Sequence, residues 1–180
     1  MHRILSLAFL SRARHKFKSQ MTDAPNTAPR QSLVEFLRDF DSRRHEVAVA
    51  HRRGYRMERS TYGDILDEAR RFARELESRG IAKSDAVLLW AEPSPAWIAA
   101  FFGCVLRGAV AVPVDQISTP EFVSRVAREV TAKLIVRSRG AAAVQSPVPT
   151  LEMESLLDTI AHHSASPYSS PALTRDDTLE

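Results

Sequence analysis

With 180 residues, 44% of them hydrophobic, the chain can bury a core of its own and falls in the size range of one domain, which excludes the disordered classes. Its formal charge of +3 comes from the start of the chain, where Met1 to Gln20 holds Arg3, Arg12, Arg14, Lys16 and Lys18 and no acid. Without those five cations the chain carries 20 basic and 22 acidic residues, so composition gives no reason to expect a nucleic-acid partner.

In chain order, the leader MHRILSLAFLSRARHKFKSQ has an apolar run only from Ile4 to Phe9 or Leu10, followed by basic residues instead of a small-residue cleavage site. A secretory signal is therefore not expected. Basic and apolar residues together allow a weak contact with an anionic membrane surface. The competing reading starts the protein at Met21 and leaves the leader as an untied tail. Pro25 and Pro29 mark a linker, so residues 1–31 are read as a basic leader and linker, expected to be disordered. Order is expected from Ser32, where SLVE reads as a capping box and Leu33, Leu37 and Phe40 share a helical face. EVAVAHRRGYRMERSTY then alternates about Arg53-Gly54, a hairpin signal.

Thr61 opens a stronger helix. TYGD supplies the cap, Ile65, Leu66, Ala69, Phe72, Ala73 and Leu76 make the apolar stripe, and Gly80 ends it. AVLLWA (86–91) has no polar side chain, as in a strand covered on both faces of a parallel sheet. Ser94-Pro95 starts a helix with Trp97, Ile98, Phe101, Phe102, Val105 and Leu106 as its apolar face, and Gly108 closes it. AVAVPV reads as a second buried strand. Thr119-Pro120 starts another helix, with the stripe Phe122, Val123, Val126, Ala127 and Val130, and KLIVR is a third strand. Strand–helix–strand–helix–strand predicts an α/β fold with a doubly wound, mainly parallel sheet, preceded by a helix and a β-hairpin. PVPTLEMESLLDTIAHH adds a short strand and a helix, so residues 32–162 form the expected α/β subdomain and the Ser/Pro-rich 163–180 a linker. Pro95 to Val114 is long enough to raise a membrane span, but a central Arg107 costs about 2.5 to 3.5 kcal/mol there, and the helix-to-strand reading wins.

Few residues carry a chemical signal. The six glycines form no G-x-G pair, and GCVLRG lies in a predicted helix whose amides are already bonded. The histidines His2, His15, His45, His51, His162 and His163 include no i, i+4 pair, and adjacent His162 and His163 are expected to face different sides, away from any shared metal. Cys104 is expected to be a core thiol; as a lone cysteine it makes no internal disulfide and fits a reducing, cytoplasmic location. Asp64, Asp67 and Glu68 complement a helix N-terminus. HRRGYRMER is read as a solvated strand pair, and Asp115 as a strand terminator at the end of the sheet where ligands bind. No catalytic, cofactor-binding or metal-binding residue is assigned.

Two segments resemble motifs of the adenylate-forming enzymes, the superfamily of acyl-CoA ligases, luciferases and peptide-synthetase adenylation domains. STYGDIL (60–66) is similar to their Thr-Tyr-x-Glu-Leu motif, and VLRGAVAVPVD (105–115) to their Leu-Lys-Ala-Gly-Ala-x-x-Val-Pro-Leu-Asp motif. The intervening ELESRGIAKSDAVLLWAEPSPAWIAAFFG follows the same order of elements, with Ser84 in place of a Gly before Asp85. Ala111, where amino-acid-activating members often have Tyr, tilts the resemblance toward fatty-acyl and other acyl-CoA ligases. It implies a protein that uses ATP, Mg²⁺ and coenzyme A to convert a carboxylic (fatty) acid to acyl-adenylate and then acyl-CoA. The family's phosphate loop, adenine-stacking motif, ribose-binding Asp and catalytic Lys have no counterpart before Glu180, and TRDDTLE looks like the approach to that loop. The expectation is an N-terminal fragment that is catalytically incompetent alone and binds none of these cofactors tightly. The alternative is a stand-alone interaction or regulatory module that pairs with a complementing chain.

Overall fold

The computed structural model describes residues 32–53, 55–173 and 177. The leader, with its expected disorder and membrane contact, lies outside the described residues. A first helix, α1 (Leu33–Ser42), leads into an antiparallel hairpin of β1 (Val47–Arg53) and β2 (Arg56–Thr61), which runs directly into α2 (Tyr62–Ser78). There follow β3 (Ala86–Trp90), α3 (Pro95–Arg107), β4 (Val110–Val114), α4 (Pro120–Glu129), β5 (Leu134–Arg137), β6 (Thr150–Glu152), a 3₁₀ turn (Met153–Ser155) and α5 (Leu156–Ile160). The main sheet has the order β4-β3-β5-β6, and each adjacent pair is parallel.

Two-sided burial accounts for the apolar strands. Val87 and Leu89 of β3, with Leu134 and Val136 of β5, face a core made with Phe72 and Leu76 of α2, Ala100 and Cys104 of α3, and Leu156 and Ile160 of α5. Leu88, Trp90 and Ile135 face the opposite layer, where Val123 and Ala127 of α4 cover them. Helices on both faces make the sheet doubly wound, as the strand–helix alternation predicts.

Local signals hold at most helix ends. The Thr61 hydroxyl accepts from the Asp64 amide at 3.1 Å while the Asp64 carboxylate accepts from the Thr61 amide at 2.8 Å, a complete capping box. Ser94 and Thr119 cap α3 and α4 by accepting from the amides of Trp97 and Phe122, each with proline in the first turn. At Ser32 the box does not form: the Glu35 amide instead donates to the Ser32 carbonyl at 3.2 Å, so the donor the hydroxyl would serve is taken by main chain.

Three stripes differ from expectation. On α3 the fully buried residues are Ala99, Ala100, Gly103, Cys104 and Val105, while Trp97, Ile98, Phe101 and Phe102 are half-buried. The reason is the close crossing of α2 and α3: a Cβ on Gly103 would lie 2.7 Å from Phe72 Cδ1 and 3.0 Å from the Ala69 carbonyl oxygen, so the small-residue face turns inward. AVAVPV is an edge strand, not a strand buried on both sides; its Val110 and Val112 are half-buried and Pro113 is exposed, where a residue without an amide proton suits a sheet edge. Leu33, Phe122 and Val130 lie at the outer margins of their helices and are partly exposed.

Ser84, standing where the resembling family has glycine, has φ of 69°, a left-handed conformation that costs a residue with a Cβ about 1 to 2 kcal/mol. Gly108 closes α3 at φ 72°, its own amide bonded to Val105 O and that of Ala109 to Cys104 O. Residues 164–173 form no helix or strand, yet basic side chains hold them. Arg74 donates to the carbonyls of Ser164 and Pro167, Lys83 to that of Ala172, and Arg107 to the Tyr168 hydroxyl at 3.2 Å.

Candidate functional site

In a doubly wound sheet the ligand crevice opens where connections leave neighbouring strands in opposite directions, beyond their carboxyl ends. Here β3 connects to β4 on one side and β5 to β6 on the other, so that point lies between β3 and β5. A cavity of about 480 Å³ occupies it, lined by Glu92, Pro93 and Ser94 after β3, Ser138 after β5, Met153 and Glu154 after β6, and Pro95, Ala96 and Leu157 from helix starts. The hairpin and α2 supply the other wall: His51, Arg52, Glu58, Ser60 and Glu68.

Three of these polar side chains have structural work. The Ser94 hydroxyl is spent on its cap, the Ser138 hydroxyl accepts from the Glu92 amide at 3.4 Å, and Glu154 accepts from the Arg139 amide at 2.8 Å. Two atoms of the lining are buried without a hydrogen-bond partner among the described residues: Glu68 Oε2 and His51 Nδ1. Burial raises the Glu68 carboxyl from 4.5 to about 7, Asp64 and Asp67 push it the same way, and Arg71 opposes them. At neutral pH Glu68 can therefore give or take a proton, or accept from a ligand donor.

The same shift sets a pH dependence. Because the folded value is the higher one, the native state holds the extra proton between 4.5 and about 7; stability is full below that window and falls as pH rises through it. Glu68→Gln cannot ionise, so relative to the parent it should gain about 1 to 2 kcal/mol near pH 8, after screening at the cavity mouth, and almost nothing near pH 4. Urea midpoints at the two pH values check this; equal effects at both would remove ionisation as the cause.

Of the other acids singled out in the sequence, Asp64 is the α2 cap and Asp67 pairs with Arg44 at 2.7 Å and Arg70 at 3.2 Å. Asp115 accepts from the Ile117 amide at 3.1 Å, the strand-ending turn expected of it. Cys104 is fully buried, and burial pushes its thiol well above the ordinary range, as for an inert core thiol. Of HRRGYRMER, His51 to Arg53 pair with Arg56 to Glu58 across the hairpin, and Tyr55 is fully exposed. The histidine expectation needs correction. His162 and His163 follow the end of α5 in a turn, not on a helix, so their ring centres lie 4.0 Å apart with the planes tilted by 38°, and His163 Nε2 lies 2.7 Å from Glu75 Oε2.

Sequence reasoning missed the burial of Glu68, read there as a helix-dipole acid, the pairing of Glu75, which lies outside the cavity lining, and the place of His51 in the cavity wall. A signal existed for the first two: Glu68 and Glu75, seven residues apart on α2, interrupt its apolar stripe, where carboxylates acquire burial.

A family model described as AMP-binding enzyme matches residues 38–178. The chain is 30% identical over 123 residues, 67% of its length, to 4-coumarate–CoA ligase 2 of Nicotiana tabacum, and spans 22% of that protein. Among solved structures it superposes on NpsA-ThdA, an artificially fused adenylation–PCP di-domain from Klebsiella oxytoca, with a TM-score of 0.70 at 18% identity, covering 82% of this chain and 27% of that one. Fatty acyl-adenylate ligase from L. pneumophila, solved with acyl adenylate and pyrophosphate, gives a TM-score of 0.69 at 21% identity, covering 83% and 27%.

Proposed function

The chain belongs to the AMP-binding enzyme family, and from that premise we propose that it forms the N-terminal α/β layer of an ATP-dependent acyl-CoA ligase, cytoplasmic, which activates a carboxylic acid as its adenylate and transfers the acyl group to coenzyme A. The observation that carries the reading is the placement of the two motif segments. STYGDIL turns the hairpin into the capped start of α2, beside the cavity, and VLRGAVAVPVD ends α3 and forms β4. Both are scaffold: they cap α2, close α3 and form the sheet edge, and Asp115 ends the strand. Curated relatives named as CoA ligases, of coumarate and of anthranilate, support coenzyme A as the acceptor. Ala111 is fully buried in β4, so the fatty-acyl tilt drawn from it rests on the resemblance alone.

The residues present do not fit the family's triphosphate. Four carboxylates, Glu58, Glu68, Glu92 and Glu154, line the cavity against two basic residues, Arg52 and His51, a balance that disfavours phosphates, and the sequence has no glycine-rich loop whose amides could cradle them. No phosphoryl step is therefore assigned to these side chains. In this reading the chain supplies the layer on which the activating site is built, and by itself does not form an adenylate.

A graft tests the positive half. Residues 38–178 replace the aligned segment of the tobacco 4-coumarate–CoA ligase, and coumarate-dependent ATP–pyrophosphate exchange is measured against the same enzyme with that segment deleted. Exchange above the deletion is the expected result. A folded graft no better than the deletion overturns the assignment.

A further inference from the structure

Three groups of one coordination chemistry meet where the turn after α5 packs on α2. Glu75 is only 5% exposed, its Oε2 lies 2.7 Å from His163 Nε2, and the ring centre of His162 lies 4.0 Å from that of His163, the planes tilted by 38°. One ligand atom from each of Glu75, His162 and His163 falls within 4.8 Å of the other two. Two imidazole nitrogens and one carboxylate oxygen are the donors of borderline divalent ions such as Zn²⁺ and Co²⁺, whereas the hard Mg²⁺ and Ca²⁺ prefer oxygen alone.

The surroundings suit a three-ligand site. Bonds of about 2.0 to 2.2 Å place tetrahedral ligand atoms about 3.3 Å apart, so no pair need close by more than about 1.5 Å, and Glu75 Oε2 and His163 Nε2 must open by about 0.6 Å. His162 is exposed on a turn, where rotation of its side chain provides that adjustment. The other carboxylate oxygen, Glu75 Oε1, is held by Arg79 at 2.7 Å, which leaves Oε2 aimed at the imidazoles. A hydrogen-bonded carboxylate of this kind is the usual support for a metal ligand. The Arg79 charge opposes a cation, so the site is one of moderate affinity.

We propose that Glu75, His162 and His163 bind one divalent transition-metal ion, water completing its coordination, and so fasten the segment after α5 to the last turn of α2. On binding, the ion exchanges three of its bound waters for Glu75 Oε2 and one imidazole nitrogen each of His162 and His163, the proton of the Glu75–His163 hydrogen bond leaves to solvent, and no oxidation state changes. The site owes nothing to the ligase reading and stands or falls separately from it.

The test is titration of the whole 180-residue chain with Co²⁺, read by its visible absorption, followed by Zn²⁺ as competitor. One saturable equivalent is expected, displaced by Zn²⁺ and not by excess Mg²⁺. His162→Ala, at an exposed position that the fold does not need, should weaken binding at least about tenfold, while His45→Ala, elsewhere on the surface, should leave it unchanged. Absence of a saturable Co²⁺ spectrum, or equal affinity in the parent and His162→Ala with both folded by circular dichroism, overturns the proposal.

Discussion

Phe72→Ala should destabilise the chain by about 3 to 5 kcal/mol, and Gly103→Ala by about 1 to 3 kcal/mol, yet the two together should cost less than their sum. Phe72 is fully buried where α2 crosses α3, and Gly103 is the residue that lets the helices approach. The added Cβ would meet Phe72 Cδ1 at 2.7 Å and Phe72 Cβ at 2.9 Å, inside any normal contact. With the ring removed the 2.7 Å contact disappears, while the Cβ that alanine keeps at position 72, 2.9 Å away, and the Ala69 carbonyl oxygen, 3.0 Å away, still resist it. A double-mutant cycle from urea midpoints should therefore show a coupling of at least about 1 kcal/mol. Equal costs for Gly103→Ala in both backgrounds would mean that Phe72 does not set the crossing.

Glu75→Ala is expected to cost about 2 to 4 kcal/mol, because it leaves Arg79 and His163 facing the hole of a buried carboxylate. The effect should depend on pH. Burial pushes the Glu75 carboxyl up, but the bonds from His163 and Arg79 more than offset it and hold the group below its ordinary value. A depressed folded value means that the contribution is complete above the ordinary carboxylate range and is lost as pH falls through the folded value. Glu75→Gln keeps the shape without the charge, so its deficit at neutral pH should shrink steadily as the solution is acidified. Denaturant midpoints across the acid range measure this; a deficit independent of pH would show that shape, not charge, is what Glu75 contributes.

The legible parts of the fold are those fixed within a few residues. Thr61, Ser94 and Thr119 announce their helices because a cap needs only a side-chain oxygen and an amide three residues on, and Gly80 and Gly108 announce the ends. The run of apolar residues in β3 gives away a strand buried on both faces, since no other setting tolerates it. What escaped depends on partners distant in the chain. How far each residue of α3 turns inward was decided by Ala69 and Phe72 on another helix: Val105 and Leu106 of the expected face are buried, while Trp97, Ile98, Phe101 and Phe102 give way to Ala99, Ala100 and Gly103. That β4 lies at an edge follows from strand order, which periodicity does not encode. The pairing of Glu75 with His163 spans 88 residues, and the cavity assembles from the hairpin, α2 and three strand ends. The motif segments located the family through their spacing; the polar groups that distinguish this chain came into view only when those elements were packed together.

The account's central claim is that these residues build the layer under a carboxylate-activating site without carrying the phosphate chemistry. ATP–pyrophosphate exchange by the purified chain, with Mg²⁺ and a panel of fatty and aromatic acids, tests it most directly. The account predicts no acid-dependent exchange above the protein-free background for any member of the panel. Exchange that rises with one acid and saturates would contradict it and would place a working adenylation site within these 180 residues.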